Sequence, residues 1–468
     1  MILKGDALSM LQTLPDASVQ CIVSSPPYWA LRKYDIPDIV FDGDPGCEHE
    51  WTEQRAPFAN AIPGPNGAVK NRVDRQQEVG KVAGAFCRCG AWRGQLGQEP
   101  TPDLFIAHMV EIFREARRVL RADGVMFLNM GDCYAGRGCG GNPTDSPHQK
   151  QATNRGSLGA SARRGARANG SSEYTLKPKD LVGIPWMLAF ALRADGWHLR
   201  AEIVWVKGMS FCPSYAGSVM PESVTDRPTR SHEQVFLLTK SERYFYDHEA
   251  VKEKGVYQAG PLAAKGSGTR EGNRRGPRKK DIREAHKMAQ REDGNHPWDG
   301  YAEYDGKRNM RTVWAIGVEP YSEAHFATFP PGLVDPCLRA GTSQKGACAS
   351  CGAPWKRVVE YDPLPDNIKA QFDAARSRTA GDHGRDDGFT TRKPNYQRTR
   401  KGETWEPTCE CGADVVPCVV LDPFAGSGTT GEVCELMRLK FIGIDLGYHE
   451  LSARRIGSVA PLFTEAVS

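Results

Sequence analysis

The residues best suited to chemistry lie in a glycine-rich segment near the end of the chain. Between an apolar run and a helix-like run, the sequence reads Asp-Pro-Phe-Ala-Gly-Ser-Gly-Thr-Thr from Asp422 to Thr430. Glycines at such a turn let a ligand approach the backbone closely, in the crevice where open α/β sheets bind ligands. Asp445 ends the next apolar run, 17 residues after Gly428, and an acid there is well placed to hold ribose hydroxyls. The pattern predicts a nucleoside site without specifying the nucleoside, and a purely structural turn remains the alternative.

A second candidate site is the tetrapeptide Ser25-Pro26-Pro27-Tyr28, which directly follows an apolar run near the start of the chain. Two consecutive prolines remove two backbone donors and fix φ twice, so the chain turns a rigid corner whose carbonyls have no ladder partners. Such a corner offers hydrogen-bond acceptors and an aromatic face to a ligand. A rigid turn without a ligand is the other interpretation.

The cysteines form a third pattern. The chain has 14 of them, and several fall into tight Cys/His pairs, which in a long chain without secretory features favours metal binding over a disulfide scaffold. Four ligands in two clusters suit tetrahedral zinc and leave no open position for water, so both predicted sites are structural. Scattered buried thiols are the alternative. The two sets are Cys47, His49, Cys87 and Cys89, and Cys348, Cys351, Cys409 and Cys411.

Alternating elements must position these residues. Apolar runs without alternation indicate strands buried on both faces, and they are separated by amphipathic, helix-like runs. This order predicts a doubly wound, Rossmann-like α/β sheet. The predicted strands include VQCIVSS, VMFLNM, LRAEIVWVK, EQVFLLTK, VVLD and FIGID, and the predicted helices include ALSMLQTL, DLFIAHMVEIFREARRVL and LVGIPWMLAFALRADG.

The net charge of +4 conceals two basic patches. Residues 150–179 contribute +6 and residues 262–291 contribute +7, which leaves −9 for the rest of the chain. Both patches are glycine-rich and lack apolar periodicity, as solvated loops do. The alternative is a pair of arms that become ordered against phosphates.

The glycine-rich motif and the Ser-Pro-Pro-Tyr corner together resemble the amino-methyltransferases of DNA, which modify N4 of cytosine or N6 of adenine. The corner precedes the cofactor loop, an order similar to the circularly permuted group often called beta. Further matches are GWHLRAEIVWVK, DRPTRSHEQVFLLTK and HFATFPPGLV. The resemblance covers most of the chain outside the cysteine segments and basic patches. It implies S-adenosyl-L-methionine as cofactor and DNA as partner.

The resemblance also implies roles for individual residues. Asp445 accepts hydrogen bonds from the ribose hydroxyls, Asp6 lies near the adenine amino group, and Thr328 lies by the amino-acid end of the cofactor. The methionine and ribose side is lined by Asp422, Phe424, Gly426 and Gly428. The corner Ser25, Pro26, Pro27 and Tyr28 is catalytic: the Ser25 hydroxyl and Pro26 carbonyl accept from the target NH2, and Tyr28 stacks on the extruded base.

The first corner residue bears on the target atom. In the resembling family it is usually Ser in N4-cytosine enzymes and Asp or Asn in N6-adenine enzymes, so Ser25 favours N4 of cytosine, with N6 of adenine as the alternative. An RNA or protein methyltransferase and an inactive DNA-binding module also remain open. A cognate restriction endonuclease is a possible partner. With no signal peptide or membrane-length apolar run in the sequence, we expect a cytoplasmic protein of a prokaryote or phage.

Seven segments are expected on this basis. They are catalytic core in 1–41, a zinc-binding insertion in 42–100, core in 101–247 with a basic loop at 140–179, a target-recognition region in 248–318, a cofactor-side segment in 319–346, a second zinc-binding insertion in 347–415, and the cofactor-binding part of the core in 416–468.

The second basic patch gives a testable prediction. Replacing Arg274, Arg275, Arg278, Lys279 and Lys280 with Ala should weaken binding to duplex DNA and flatten its salt dependence, because each lost phosphate contact removes about 0.9 from the slope of log K against log salt. Fluorescence anisotropy with labelled duplex over a salt series measures this slope. An unchanged slope would identify the patch as a solvated loop.

Overall fold

The computed structural model describes a large part of the chain. The described residues are 1–31, 34, 36–53, 84–135, 176, 179–212, 214–215, 217–219, 221–254, 307–319, 328–366, 369–370 and 400–459. Patch 262–291 lies wholly outside them, and only Leu176 and Lys179 of patch 150–179 lie within them.

Within these ranges the chain forms the following elements. The helices are α1 (Ala7–Gln12), α2 (Pro102–Val119), α3 (Ile184–Ala194), α4 (Pro331–Gly341), α5 (Thr429–Leu436) and α6 (His449–Val459). The strands are β1 (Ile2–Lys4), β2 (Val19–Ser24), β3 (Ile39–Phe41), β4 (Thr52–Glu53), β5 (Ala85–Phe86), β6 (Trp92–Gly94), β7 (Leu120–Met130), β8 (His198–Val206), β9 (His232–Thr239), β10 (Glu253–Lys254), β11 (Lys307–Arg308), β12 (Val313–Ala315), β13 (Ala347–Cys348), β14 (Lys356–Tyr361), β15 (Arg400–Glu406), β16 (Val415–Val416), β17 (Val419–Asp422) and β18 (Lys440–Asp445).

The central layer is an eight-stranded sheet in the order β1-β18-β17-β2-β7-β9-β8-β12. All neighbouring pairs are parallel except the two that involve β9. The architecture is therefore α/β with a mostly parallel sheet. The first and last parts of the chain meet in it, since β17 lies between β18 and β2.

Helices cover both faces of this sheet. On one face Ile22 of β2 and Met126 of β7 join a core with α1, α2 and α3. The alternate residues of the same strands face α4, because a Cβ built on Gly341 would lie 2.6 Å from the Cys21 sulfur and 2.8 Å from Val125. This alternation is what two buried faces require of a strand. Each fully buried Leu, Ile or Phe in these layers contributes about 1.5–3 kcal/mol.

Local signals explain why α2 begins and ends where it does. The Thr101 side chain accepts a hydrogen bond from the amide of Leu104 at 3.2 Å, and Pro102 occupies the first turn. Asp103 lies in the first turn, and Arg117 and Arg118 lie in the last. The acid near the N-terminus and the two bases near the C-terminus interact favourably with the helix dipole, and the cap and the proline stabilise the first turn. The buried face of α2 packs on β7 and α3.

The reversed direction of β9 follows from its connection. Parallel neighbours need a crossover, usually a helix. The described residues between Val206 and His232 contain no helix, so the chain returns beside β8 in the opposite direction. Lys207 donates its amide to the Ser231 carbonyl at 2.8 Å and closes this connection.

Helix α4 has no clear signal in the sequence, because Pro330, Pro331 and Pro336 interrupt the segment. Pro331 occupies the first turn, where its missing N–H costs nothing. Pro336 lies inside the helix, and burial of the surrounding apolar side chains against the sheet offsets the hydrogen bond it cannot make.

The described residues divide into two compact units. The first comprises 1–250, 311–356 and 407–468, and it holds the central sheet and the four-stranded antiparallel sheet β3-β6-β5-β4. The second comprises 251–310 and 357–406, with the antiparallel pairs β10-β11 and β14-β15. Among the helices that the structure describes, none combines the length and apolar character needed to cross a membrane.

Candidate functional site

A cavity opens at the carboxyl ends of β1, β17 and β18, the edge where parallel sheets bind ligands. Together with its open mouth, the space between its walls is about 1110 Å³. Its wall is completed by two further stretches of chain, which contribute Ile36, Pro37, Ile39, Phe41, Gln95 and Leu96. Of the predicted site residues, the cavity is lined by Asp6, Ser25, Pro27, Thr328, Phe424, Gly426 and Asp445.

Asp422 lies behind the cavity wall. Its side chain is buried, and Oδ1 accepts hydrogen bonds from the Ser24 hydroxyl at 2.6 Å and the Phe424 amide at 3.0 Å. Oδ2 accepts from the Thr430 hydroxyl at 2.9 Å. Burial raises the pKa of Asp422 to about 6, although these hydrogen bonds lower it. Asp422 thus ties the end of β17 to the end of β2 and to the first turn of α5.

Two glycines shape the turn that follows. Gly426 and Gly428 have φ of 51° and 83°, a region of backbone conformation that residues with a Cβ rarely adopt. A Cβ on Gly428 would also lie 3.0 Å from the Cα of Ser452. Gly426 borders the cavity, whereas Gly428 packs against α6.

Asp445 holds the glycine-rich turn from the end of β18. Its carboxylate accepts hydrogen bonds from the amides of Gly426 and Gly447, both at 2.9 Å, and from the amide of Tyr448. Burial raises the pKa of Asp445 above its ordinary value, even though these amides lower it. The carboxylate therefore holds the glycine turn against the start of α6 while its side chain remains in the cavity wall.

Asp6 likewise holds the backbone in place and lines the cavity. Its Oδ1 accepts the amide hydrogen of Ser9 at 2.9 Å and caps α1, the role that Asp commonly has at a helix N-terminus. It also lines the cavity, as do Thr328 and Phe424 elsewhere in the wall. The ring of Phe424 is held edge-on by Phe113 of α2 at 6.3 Å between centroids.

The corner begins at the cavity and continues away from it. Ser25 and Pro27 line the cavity, whereas Pro26 and Tyr28 do not. The Tyr28 ring packs so closely on Gly131 that a Cβ there would lie 2.3 Å from it. The Tyr28 hydroxyl accepts hydrogen bonds from the Ser25 hydroxyl at 3.3 Å and from Asn129 at 2.8 Å.

Glu233 of β9 completes this polar network. Its Oε2 accepts hydrogen bonds from the Tyr28 hydroxyl at 2.8 Å and from Asn129 at 3.0 Å, and its Oε1 pairs with the Lys207 ammonium. Burial raises the pKa of Glu233, but Lys207 and the hydrogen bonds outweigh it, so the net pKa lies below the ordinary value. Burial, together with the Glu233 charge, holds the pKa of Tyr28 well above 10. The carboxylate stays ionised and the phenol stays protonated.

No site role is predicted from the sequence for Asn129, Lys207 or Glu233, although Lys207 ends the matching segment GWHLRAEIVWVK and Glu233 lies within DRPTRSHEQVFLLTK. Their positions alone are a weak signal: Glu233 is the second residue of β9 and Lys207 directly follows β8, and a charge near a strand end is common. Only the pairing of Trp205 with Glu233 across β8 and β9 brings the two charges together.

Each predicted zinc set is brought together in the first compact unit. Within each set the four candidate ligand atoms lie within 4.8 Å of one another. In the first set the Cys47 and Cys87 sulfurs are 3.8 Å apart, and the Cys89 sulfur lies 3.4 Å from Nδ1 of His49. No disulfide links any of these cysteines.

Backbone amides assist both sets. A backbone hydrogen bond from Cys89 lowers the pKa of the Cys87 thiol to about 6, and one from Cys351 does the same for Cys348. One thiol of each set is therefore the first to ionise, and the thiolate is the form that binds metal. Hydrogen bonds to neighbouring cysteines raise the pKa of Cys47 and Cys411 to about 12. The second set is attached to the central sheet by Gln20, whose amide donates to the Gly352 carbonyl at 2.9 Å and accepts from the Val419 amide at 2.6 Å.

The buried Asp422 carboxylate gives a prediction on stability. Its folded pKa of about 6 exceeds the ordinary 3.8, so the folded state binds a proton more tightly than the unfolded state. The resulting stabilisation is present below about pH 4 and is lost as the pH rises through 6, a loss of about 3 kcal/mol. Asp422→Asn keeps the shape without this ionisation. Thermal melts of the variant from pH 4 to 8 should therefore fall less with rising pH than those of the wild type.

An exposed acid provides the control for this measurement. Asp38 is exposed, and Asp38→Asn should leave the pH dependence of the wild type intact. If Asp422→Asn and Asp38→Asn give the same slope of melting temperature against pH, ionisation of the buried Asp422 carboxylate does not lower the stability of the fold.

Comparison with known proteins places these features in a family. The model of the N6/N4 methyltransferase family, described as DNA methylase, matches residues 19–349 and 418–453. Type II methyltransferase M.Cfr9I of Citrobacter freundii is 30% identical over 97% of this chain and 87% of its own. Type II methyltransferase M.SmaI of Serratia marcescens is 28% identical over 97% of this chain and 90% of its own.

A solved structure described as PvuII DNA methyltransferase (cytosine-N4-specific) covers 98% of this chain and 91% of its own, with 12% identity and a TM-score of 0.42. The match of the family model spans most of the chain, through the Ser-Pro-Pro-Tyr corner and the glycine-rich turn alike. This chain belongs to the DNA methylase family of N6 and N4 methyltransferases.

Proposed function

We propose that this chain transfers the methyl group of S-adenosyl-L-methionine to N4 of cytosine in DNA. The observation that supports this most directly is the position of Ser25, which lines the same cavity as the glycine-rich turn and Asp445. A hydroxyl that can accept from an amino group therefore borders the space where a nucleoside cofactor fits.

The cavity residues suit that cofactor. Phe424 and the apolar residues of 36–41 offer surfaces for an adenine ring, while the carboxylates of Asp6 and Asp445 can accept from its amino group and from ribose hydroxyls. The methionine end would extend past Gly426 toward Thr328. When bound, S-adenosyl-L-methionine supplies an electrophilic methyl group on a sulfonium.

The Ser-Pro-Pro-Tyr corner would activate the nucleophile of the reaction, the exocyclic amino nitrogen of the target base. An exocyclic amino group is a poor nucleophile because its lone pair is delocalised into the ring. The Ser25 hydroxyl donates its own hydrogen to Tyr28, which directs an oxygen lone pair outward to accept from the amino group. The Pro26 carbonyl accepts its second hydrogen, and both contacts return electron density to nitrogen. Attack in line with the methyl group then depends mainly on positioning and electrostatics.

Glu233 and Lys207 serve this geometry by holding Tyr28. Glu233 accepts the phenol hydrogen at 2.8 Å, and Lys207 neutralises the buried carboxylate, so the tyrosine hydroxyl is fixed with its lone pairs facing Ser25 and Asn129. The ring of Tyr28 is the surface on which the extruded base would stack.

The names of the related proteins imply a second protein partner. The relatives are named type II methyltransferases, so we infer that this chain protects DNA against a cognate restriction endonuclease. The endonuclease and the methyltransferase would then read one recognition sequence.

We also propose one structural zinc ion in each Cys/His set. Cys47, His49, Cys87 and Cys89 would hold the first, and Cys348, Cys351, Cys409 and Cys411 the second. Four protein ligands fill a tetrahedral shell, so these ions stabilise local folds and take no part in the reaction.

Metal analysis of the purified protein tests the zinc proposal. About two zinc ions per chain are expected, and Cys89→Ser and Cys411→Ser should each lose about one. Cys212→Ser, which alters a cysteine outside both sets, should retain both. Active protein without zinc would contradict the proposal.

The target atom is decided by the product. Ser25→Ala removes one acceptor from the target amino group, so turnover should fall about 100-fold while cofactor affinity is unchanged. Mass spectrometry of nucleosides from DNA methylated by the wild type should show N4-methylcytosine. N6-methyladenine alone would reassign the enzyme to the other branch of its family, and transfer to RNA or protein but not DNA would refute the proposal.

A further inference from the structure

His108 of α2 is buried between two carboxylates. Its Nδ1 lies 3.0 Å from Oε1 of Glu99, and its Nε2 lies 3.0 Å from Oδ2 of Asp42. Only the imidazolium form can donate from both nitrogens. Burial lowers the pKa of His108, but the two carboxylates raise it by a larger amount, so its net pKa lies above the ordinary value.

The two carboxylates stand near opposite ends of the segment 42–100. Asp42 is its first residue, Glu99 is its last but one, and the first Cys/His set lies between them. A single side chain of a core helix therefore fastens both ends of this segment. Phe41, directly before it, stacks on the His108 ring at 4.1 Å between centroids and an interplanar angle of 13°.

The Asp42 contact leads to the cofactor cavity. Phe41 is at once the stacking partner of His108 and a lining residue of the cavity. Gln95 and Leu96 of the segment line the same wall, and Gln95 donates to the Ile36 carbonyl at 2.6 Å. Phe41 thus connects His108 directly to the cavity wall.

The Glu99 contact leads to the catalytic corner. The second carboxylate oxygen of Glu99 accepts the Gly97 amide at 2.7 Å, and the Gly97 carbonyl accepts the Ala30 amide at 2.7 Å. Trp29 donates its indole N–H to the Glu99 carbonyl at 2.9 Å. Trp29 and Ala30 directly follow Tyr28, so Glu99 fixes the chain where it leaves the corner.

We propose that His108 is a positioning residue that holds the cofactor wall through Asp42 and the catalytic corner through Glu99. On this account the described parts of the segment, 42–53 and 84–100, belong to the active site, and the first Cys/His set lies within them. The inference rests on the proposed function, because it assigns the cavity to the cofactor and the corner to the target base.

Two substitutions of His108 separate the two contacts. The side-chain amide of Asn can replace the Nδ1 donor, and that of Gln can replace the Nε2 donor. His108→Asn therefore keeps the Glu99 contact and loses Asp42, so the Kd for S-adenosyl-L-methionine should rise about tenfold while kcat at saturating cofactor changes less. His108→Gln keeps Asp42 and loses Glu99, so kcat should fall about tenfold with a smaller change in that Kd. Loss of one charged hydrogen bond is of this size.

A purely structural role would not produce this split. It would lower the melting temperature of both variants, with kcat and Kd per folded molecule unchanged. Ala107→Gln, at the exposed neighbouring position of α2, is the control and should match the wild type. Isothermal titration with S-adenosyl-L-methionine and methyl transfer to duplex DNA provide the two readouts.

Milder variants keep the test decisive if His108 substitutions fail to fold. Asp42→Asn, at a half-exposed carboxylate, should reproduce the weaker cofactor binding, and Glu99→Gln should reproduce the lower kcat. Equal effects of both on both constants, or none on either, would overturn the positioning role. If the wild type neither binds S-adenosyl-L-methionine nor methylates DNA, the proposed function itself fails, and this inference falls with it.

Discussion

The site depends on one buried hydrogen bond between the two motif-bearing strands. The Ser24 hydroxyl donates to the Asp422 carboxylate across 398 positions of sequence, at the point where β2 and β17 end side by side. Because Asp422 also holds the first residues of the glycine-rich turn and of α5, the corner after β2 and the turn after β17 share one anchor. The spacing between the corner and the glycine-rich turn is set there by a buried carboxylate, a group that is costly to bury without such partners.

Much of this arrangement could be predicted from the sequence. Strands buried on both faces have continuous apolar runs, and α2 has a cap, a first-turn proline and charges at both ends. These local signals agree with the final fold, so the central strands and α1, α2 and α3 lie where the sequence predicts them. The edge at which the cavity opens follows from the rule that parallel sheets bind ligands at the carboxyl ends of their strands.

The rest depends on long-range pairing. A strand of apolar residues has the same pattern whichever way it runs, so the reversed direction of β9 cannot be predicted from the segment EQVFLLTK. That reversal brings Glu233, at the beginning of β9, to the edge where β2 and β7 end; in a parallel β9 it would lie at the other edge. The links from His108 to Asp42 and Glu99 are equally hidden, because 66 and 9 positions separate the partners and no periodicity connects them.

The position of β17 has a consequence for synthesis on the ribosome. Residues 419–422 supply a strand in the interior of the sheet, between β18 and β2. While translation proceeds, β2 has an open edge on that side, because its neighbour has not yet been made. Unpaired edges and late long-range pairing slow folding and invite aggregation. The nascent chain therefore cannot complete the cavity until β17 and β18 have left the ribosome, and a chain that ends before β17 exposes the edge of β2 beside which the glycine-rich turn forms.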